Sequence, residues 1–139
     1  MVNIEIVREW IAKADDDFGF ALANHEEGKP FLALICFHFQ QSAEKYLKAY
    51  IVAHGLEFKK THDLHALLKT CTQKDTSLEQ INADCEYLNT FYIETRYPVH
   101  WPTHFTEKEA VKAKSAAHRI RQWITSALDS LLTDTDFRR

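Results

Sequence analysis

The sequence predicts an all-α fold: an antiparallel up-and-down bundle of four long helices and one short helix, in a single domain spanning residues 1–139. Apolar residues recur at spacings of three and four in several long segments, which is the helical period. Only three glycines and three prolines interrupt the chain, too few for an all-β protein with many tight turns. A chain of 139 residues is long enough to bury a core without disulfides or a metal.

The first helix is predicted from about Asn3 to His25, because its apolar residues form one stripe. Members of that stripe are Ile4, Val7, Ile11, Ala14, Phe18 and Leu22. The acidic run of residues 15–17 falls mostly outside the stripe, which indicates a solvated face. The alternative is a metal site, but no matching carboxylate cluster occurs elsewhere in the sequence.

The stretch from Pro30 to Gly55 is predicted to form the central helix. Its first third is apolar on nearly every side apart from His38, which is typical of a helix surrounded by others. We interpret His38 as a core histidine bonded to a carbonyl, with a site residue as the alternative. Glu44 and Lys48 stand four residues apart, which predicts a solvated face carrying a weak ion pair.

The second half of the chain is predicted to hold three further helices. Thr61 or Asp63 caps the short third helix. A capping box of Ser77 and Gln80 begins the fourth helix, which ends near Tyr97 because Pro98 disfavours helical geometry before it. A second capping box, Thr106 with Glu109, begins the fifth helix, and the tail from residue 133 to 139 is expected to fray.

Net charge and cysteine content narrow the class of protein. A formal net charge of -3 gives no net basic field, so a nucleic-acid site would have to be a local patch. The three cysteines lie in helical patterns and are expected to be free thiols in a reducing compartment. No signal-peptide pattern or membrane-spanning run is present, and we expect a cytoplasmic protein.

The irregular segment RYPVHWPTHFT places Arg96, His100 and His104 close together. A guanidinium holds phosphate in a fork, and a histidine transfers protons near neutral pH, which is what phosphodiester cleavage through a ribose 2′-hydroxyl requires. Tyr97 and Trp101 offer faces for base stacking. The structural alternative is that Arg96 and Tyr97 brace the loop against the bundle.

The segment Thr61-His62-Asp63 with His65 is a further candidate. Its structural role is helix capping by Asp63. Two histidines could share a metal, but no third and fourth ligand stands at a recognisable spacing, so we expect neither a metal nor a cofactor.

Three segments, CFHFQQSAEKYLKAYIVAHG, THDL and TRYP, together resemble the HEPN family (higher eukaryote and prokaryote nucleotide-binding domain) over nearly the whole chain. The resemblance implies a small helical bundle that forms a homodimer. The TRYP-bearing branch implies association with a minimal nucleotidyltransferase in a toxin–antitoxin pair.

The resemblance also implies functional residues. Nucleotide or RNA phosphate binding would use Lys45, His62, Arg96 and Tyr97. The alternative is a metal-independent endoribonuclease at the dimer cleft, with Arg96 as the phosphate clamp and His100 or His104 as acid/base. The family's ribonuclease signature is an arginine followed at short spacing by a histidine, and neither histidine stands at that spacing.

Overall fold

The computed structural model describes the backbone of residues 2–96 and 105–133, and the side chains of residues 2–92 and 105–133. Five α-helices and one 3₁₀ helix make up this part of the chain, which contains no strand. The elements in order are α1 (Ile4–Glu26), α2 (Leu32–Ala53), α3 (Leu64–Lys74), the 3₁₀ helix (Thr76–Ile81), α4 (Asn82–Arg96) and α5 (Glu107–Thr133). The predicted all-α bundle is confirmed.

Helix α2 lies at the centre of the bundle. It packs most extensively on α1 and also contacts α3, α4 and α5. Tyr46, Phe39 and Ile35 are among the largest side chains without solvent exposure, and all three belong to α2. Burial of such side chains is the main favourable term in folding, so α2 organises the core. The prediction that its apolar first third is surrounded by other helices is wrong in part, because Phe31 and Leu34 stay 54% and 53% exposed.

Several helix ends are set by local hydrogen bonds or local backbone geometry. The Asn3 side chain accepts a hydrogen bond from the backbone N–H of Glu5 at 2.9 Å and caps α1. Gly55 follows α2 with a φ of +62°, the left-handed conformation that favours glycine. At the start of α5, the Glu109 carboxylate accepts from the Thr106 backbone N–H at 2.8 Å and from its hydroxyl, which confirms the second capping box.

The predicted start of the fourth helix is wrong. Asp75, rather than Ser77, is the capping residue: its Oδ1 accepts from the Ser77 N–H at 3.0 Å and from the Ser77 hydroxyl at 2.7 Å. Because the Ser77 N–H donates to Asp75 and not to the Gln80 side chain, the Ser77–Gln80 box does not form. The chain makes a 3₁₀ helix first, and α4 begins only at Asn82.

The three cysteines are free and buried, as predicted. Burial raises the pKa of the Cys36 and Cys71 thiols to about 12, so neither supplies a thiolate nucleophile near neutral pH. Within the described residues, no helix combines the length and apolar character needed to cross a membrane.

Candidate functional site

Three polar side chains, Gln40, Glu44 and Lys48, recur every four residues along one face of α2. The predicted solvated face is wrong, because Glu44 is only 3% exposed and Lys48 only 6%. The loop between α2 and α3 folds over this face and brings His62 onto Glu44. We call the group formed by Gln40, Glu44, Lys48, His62 and Tyr92 the α2–α4 corner.

The Glu44 carboxylate is the centre of the corner. One oxygen accepts a hydrogen bond from Lys48 Nζ at 2.9 Å, and the other lies 2.9 Å from His62 Nδ1. Lys48 Nζ lies 5.7 Å and 5.8 Å from the ring centroids of Trp10 and Phe58, which cover it from solvent. A buried carboxylate is tolerated only when its charge is compensated and its oxygens are hydrogen-bonded; Lys48 supplies the opposite charge and His62 a second hydrogen bond.

The His62 residue is held by two helices, α2 and α4, and its imidazole is still half exposed. Its ring stacks on Tyr92 of α4, with centroids 4.8 Å apart and planes inclined by 20°. Its backbone carbonyl accepts a hydrogen bond from Gln40 Nε2 at 3.2 Å. Its side chain retains 49% of its exposure. The fold therefore fixes the ring position and leaves one side of the ring open to solvent.

The residues after His62 are fixed as well. Asp63 caps α3 by accepting from the His65 backbone N–H at 2.9 Å, which confirms its predicted capping role. Asn89 of α4 accepts from the Leu64 backbone N–H at 2.9 Å and donates to Asp63 at 3.0 Å. Helix α4 therefore anchors the loop that carries His62.

Arg96 is the last residue of α4 and follows Tyr92 by four positions. Residues four apart lie on the same helix face, about 6 Å apart along the axis, so the Arg96 backbone lies one turn beyond the ring that stacks on His62. Tyr97, His100 and His104 lie outside the described residues.

A second polar group lies between α1, α2 and α5, and we call it the α1–α5 cluster. Its members are Asp15, Asp17, His38, Lys45, Tyr46 and Arg121. Lys45, predicted to bind a nucleotide, donates its ammonium to Asp17. The structure therefore places Lys45 and His62 in different groups.

His38 is bonded to a carboxylate rather than to the predicted carbonyl. Its Nδ1 lies 3.1 Å from Asp17 Oδ1, because antiparallel α1 brings that carboxylate beside it. Asp16 faces solvent as predicted, whereas the Asp17 side chain is only 15% exposed, so the acidic run is not uniformly solvated. No cluster of three or more metal-ligating side chains occurs among the described residues.

The α1–α5 cluster neutralises its own charges. Partial burial opposes ionisation of Asp17, but hydrogen bonds from His38 and Lys45 outweigh it and lower the pKa of Asp17. Burial and the adjacent Asp15 carboxylate raise the pKa of Tyr46. Partial burial of Arg121 acts against its charge, but Tyr46 and Asp15 raise its pKa on balance. The carboxylates of this cluster are thus matched by cations from the neighbouring helices.

Sequence reasoning missed the roles of Gln40, Glu44 and Tyr92 in this geometry. One signal was present: three polar residues spaced by four on a helix that is otherwise buried require a polar partner from another element. A second signal was the four-residue spacing of Tyr92 and Arg96. Neither signal names His62 as the partner, because that contact joins residues distant in sequence.

The sequence matches the HEPN domain family over residues 7–128. The chain belongs to the HEPN family. A crystal structure of TT1696 from Thermus thermophilus is similar, with 27% identity, a TM-score of 0.76, and coverage of 86% of this chain and 96% of that one.

A second similar structure is that of ST0689, an archaeal HEPN homologue. It shares 27% identity with a TM-score of 0.70, and the match covers 88% of this chain and 97% of that one. A search of curated proteins gave no match.

Proposed function

We propose that this HEPN protein is a nucleotide- or RNA-phosphate-binding partner of a small nucleotidyltransferase in a toxin–antitoxin-type module. The α2–α4 corner forms its binding surface, together with Arg96, the last residue of α4, and Tyr97, which follows it in the sequence. The observation that carries the proposal is the His62 ring, which Glu44 holds, Tyr92 stacks on, and solvent still reaches.

The chemistry of the corner suits a nucleotide or RNA phosphate. His62 Nδ1 faces Glu44, so Nε2, which has no hydrogen bond within the described part of the chain, is the nitrogen left for a ligand. An imidazole and a guanidinium together bind phosphate oxygens, and aromatic faces stack on bases. Lys45 contributes least to this surface, because its ammonium is bound to Asp17.

Binding of a labelled mononucleotide and of a short single-stranded RNA tests this surface. We expect His62→Asn and Arg96→Ala each to weaken binding by about tenfold, the loss of one charge-assisted contact. His65→Asn is the matched control, because His65 is exposed and stands three residues away on α3. Equal affinity in all variants would remove the corner from the binding surface.

The partner is tested separately. The resemblance to the TRYP-bearing branch supports a nucleotidyltransferase partner, and co-expression with the product of the neighbouring reading frame checks it. We expect the two proteins to co-purify in a fixed ratio. A neighbouring frame of another class, or a nucleotidyltransferase that does not co-purify, would contradict the partnership.

The assembly is proposed to be a homodimer, as is common in this family. A dimer cleft would bring a second copy of the corner near the first. Solution mass at micromolar concentration measures this directly, and a monomer would contradict a shared cleft.

A metal-independent endoribonuclease is the second candidate, and one observation favours it. Glu44 and His62 form a carboxylate–imidazole pair, in which the carboxylate fixes the ring of a potential proton carrier. A histidine would take the proton of the ribose 2′-hydroxyl, the oxygen would attack phosphorus, and the 5′-oxygen would leave with a proton. Arg96 would bind the charge that develops on the phosphate oxygens.

The enzyme candidate makes a distinct prediction. RNA should be cut in the presence of a chelator, while a strand with 2′-deoxy sugars stays intact. Arg96→Ala, His62→Asn, His100→Asn and His104→Asn then show which residues carry the reaction. If the RNA stays intact and nucleotide binding is retained, the endoribonuclease candidate is contradicted and the binding function stands.

A further inference from the structure

A groove of about 710 Å³ lies between α1 and α5, apart from the α2–α4 corner. It exists because α1 packs chiefly on α2 and only lightly on α5. The α1 wall consists of Asp15, Phe18, Gly19 and Leu22, and the α5 wall consists of Lys114, Ser115, His118 and Arg121. Cavities of roughly 300–1,000 Å³ are typical of small-molecule sites.

The Phe18 ring of the groove is packed on several sides. The Phe18 ring is fixed from behind by Phe39, with an edge-on contact at a centroid distance of 5.6 Å. Two side chains of α5 also contact this ring. The Arg121 guanidinium carbon lies 5.6 Å from the Phe18 ring centroid, and the His118 ring centroid lies 6.3 Å from it. Phe18 therefore forms a fixed apolar surface beside two basic side chains.

Gly19 leaves an opening in the α1 wall. It lies inside a 23-residue helix, where glycine is less favourable than alanine. Apart from its chain neighbours and the backbone of its own helix, no described atom lies within 4 Å of the position that its Cβ would take, and its backbone is not left-handed. Packing within the described part of the chain does not require glycine here, so the space that it leaves is available to a ligand.

The α5 wall supplies positive charge. Lys114, His118 and Arg121 stand at positions i, i+4 and i+7 and share one face of the helix. Arg121 is bound to Asp15 and Tyr46, at 3.3 Å and 3.1 Å. Within the described residues, Lys114 has no ion pair, and Ser115 beside it has no side-chain hydrogen bond.

We propose that this groove binds a small organic anion with an apolar body. The apolar body would lie against Phe18, Leu22 and the opening at Gly19. Its carboxylate, sulfonate or phosphate would pair with Lys114 and accept a hydrogen bond from Ser115. Charge complementarity supports this choice, because an ammonium without an ion pair among the described residues lies beside an apolar wall, and Asp15 is already neutralised by Arg121.

The test uses 1-anilinonaphthalene-8-sulfonate as an aromatic anion and decanoate as an aliphatic one, with the folded full-length chain. We expect each chain to bind one molecule of the fluorescent anion. Decanoate should displace it competitively if the site also accepts aliphatic ligands. If decanoate does not displace it, the site takes aromatic anions. Stoichiometry well above one would indicate general surface binding and overturn the proposal.

Three variants locate the site. Gly19→Leu fills the opening with a good helix former and should weaken binding by about tenfold. Lys114→Gln should weaken it by about fivefold, the loss of one partly exposed ion pair. Lys108→Gln removes the same charge from the same helix outside the groove and should leave affinity unchanged. Unchanged affinity in the first two variants, or equal loss in all three, would overturn the proposal.

Solution mass separates a ligand from a second protein chain. Gly19→Leu and Gly19→Ala should have the mass of the unmodified protein. If Gly19→Leu alone changes the mass, a second copy covers the groove and the small-anion proposal is wrong. Gly19→Ala should remain folded and should retain most of the binding, because it adds only one methyl group.

Discussion

The two polar groups around α2 contain similar side chains but differ in how their charges are matched. In the α1–α5 cluster, Asp17 binds Lys45 in a mostly buried pair and Asp15 binds Arg121 in a partly exposed one, so each carboxylate has a cation from another helix. In the α2–α4 corner, the Glu44–Lys48 pair is deeply buried, yet the imidazole joined to it stays half exposed. The first arrangement fixes three helices together, and the second presents a prepared side chain to solvent.

That difference distinguishes carboxylates whose charge is matched by a neighbouring helix from a ring that is a candidate for ligand contact. An ion pair that joins two helices stabilises the packing around it. In the corner, burial of the Glu44–Lys48 pair costs free energy, and the pair orients the His62 ring but leaves its second nitrogen without a partner among the described residues. The corner is therefore the better candidate for ligand contact, and the following variants test the distinction.

The largest effect is expected for Glu44→Ala. It leaves the Lys48 ammonium buried without a carboxylate, so the free energy of unfolding should fall by about 3–5 kcal/mol. Urea denaturation measures this loss. Glu9→Ala, at an exposed position of α1, is the control and should change stability by less than about 0.5 kcal/mol. A loss below about 1 kcal/mol for Glu44→Ala would mean that the pair is solvated.

Asp17→Asn should cost less, about 1–2 kcal/mol at neutral pH, because it removes charge-assisted hydrogen bonds to His38 and Lys45. The pKa of Asp17 is lowered in the folded state, so its contribution is present above the ordinary value of 3.8 and is lost as pH falls through the folded pKa. The free energies of unfolding of the two proteins should therefore converge only as pH falls below 3.8, toward the lowered pKa of the folded state. Asp16→Asn is the control.

Gly19→Ala should stabilise the protein by about 0.5–1 kcal/mol, since alanine is the better helix former and the space is open. Thermal unfolding gives the sign directly. If Gly19→Ala instead lowers the free energy of unfolding, the packing of α1 requires glycine at this position. The groove wall would then be a structural part of the bundle, like the α1–α5 cluster.

The smallest change in stability is expected for His62→Asn. The ring is half exposed, and Lys48 still compensates Glu44, so unfolding should shift by less than about 1 kcal/mol while nucleotide binding weakens. Parallel unfolding and binding measurements separate the two effects. A large destabilisation with unchanged binding would place the corner with the α1–α5 cluster as a structural element.

Local sequence information was sufficient for the bundle and most helix ends. Asn3, Asp63 and the Thr106–Glu109 pair act through hydrogen bonds that reach only two or three residues, so their roles can be inferred from neighbours in sequence. The predicted start of α4 was wrong for the same physical reason. The side chains of Asp75 and Gln80 are both near enough in sequence to accept from the Ser77 N–H, and Asp75 accepts it. Membership of the HEPN family was also indicated by three short sequence segments.

The tertiary structure alone decided the solvent exposure of the charged residues on α2. Helical spacing places Glu44 and Lys48 together, but it does not say whether water or another element covers them. Trp10, Phe58 and His62 cover them, and these residues lie far from α2's charges in sequence. Burial changes an exposed ion pair of little consequence into a charge pair that must be compensated. The local sequence determined where the helices form. The packing of distant segments determined which polar side chains are buried and which remain exposed to solvent.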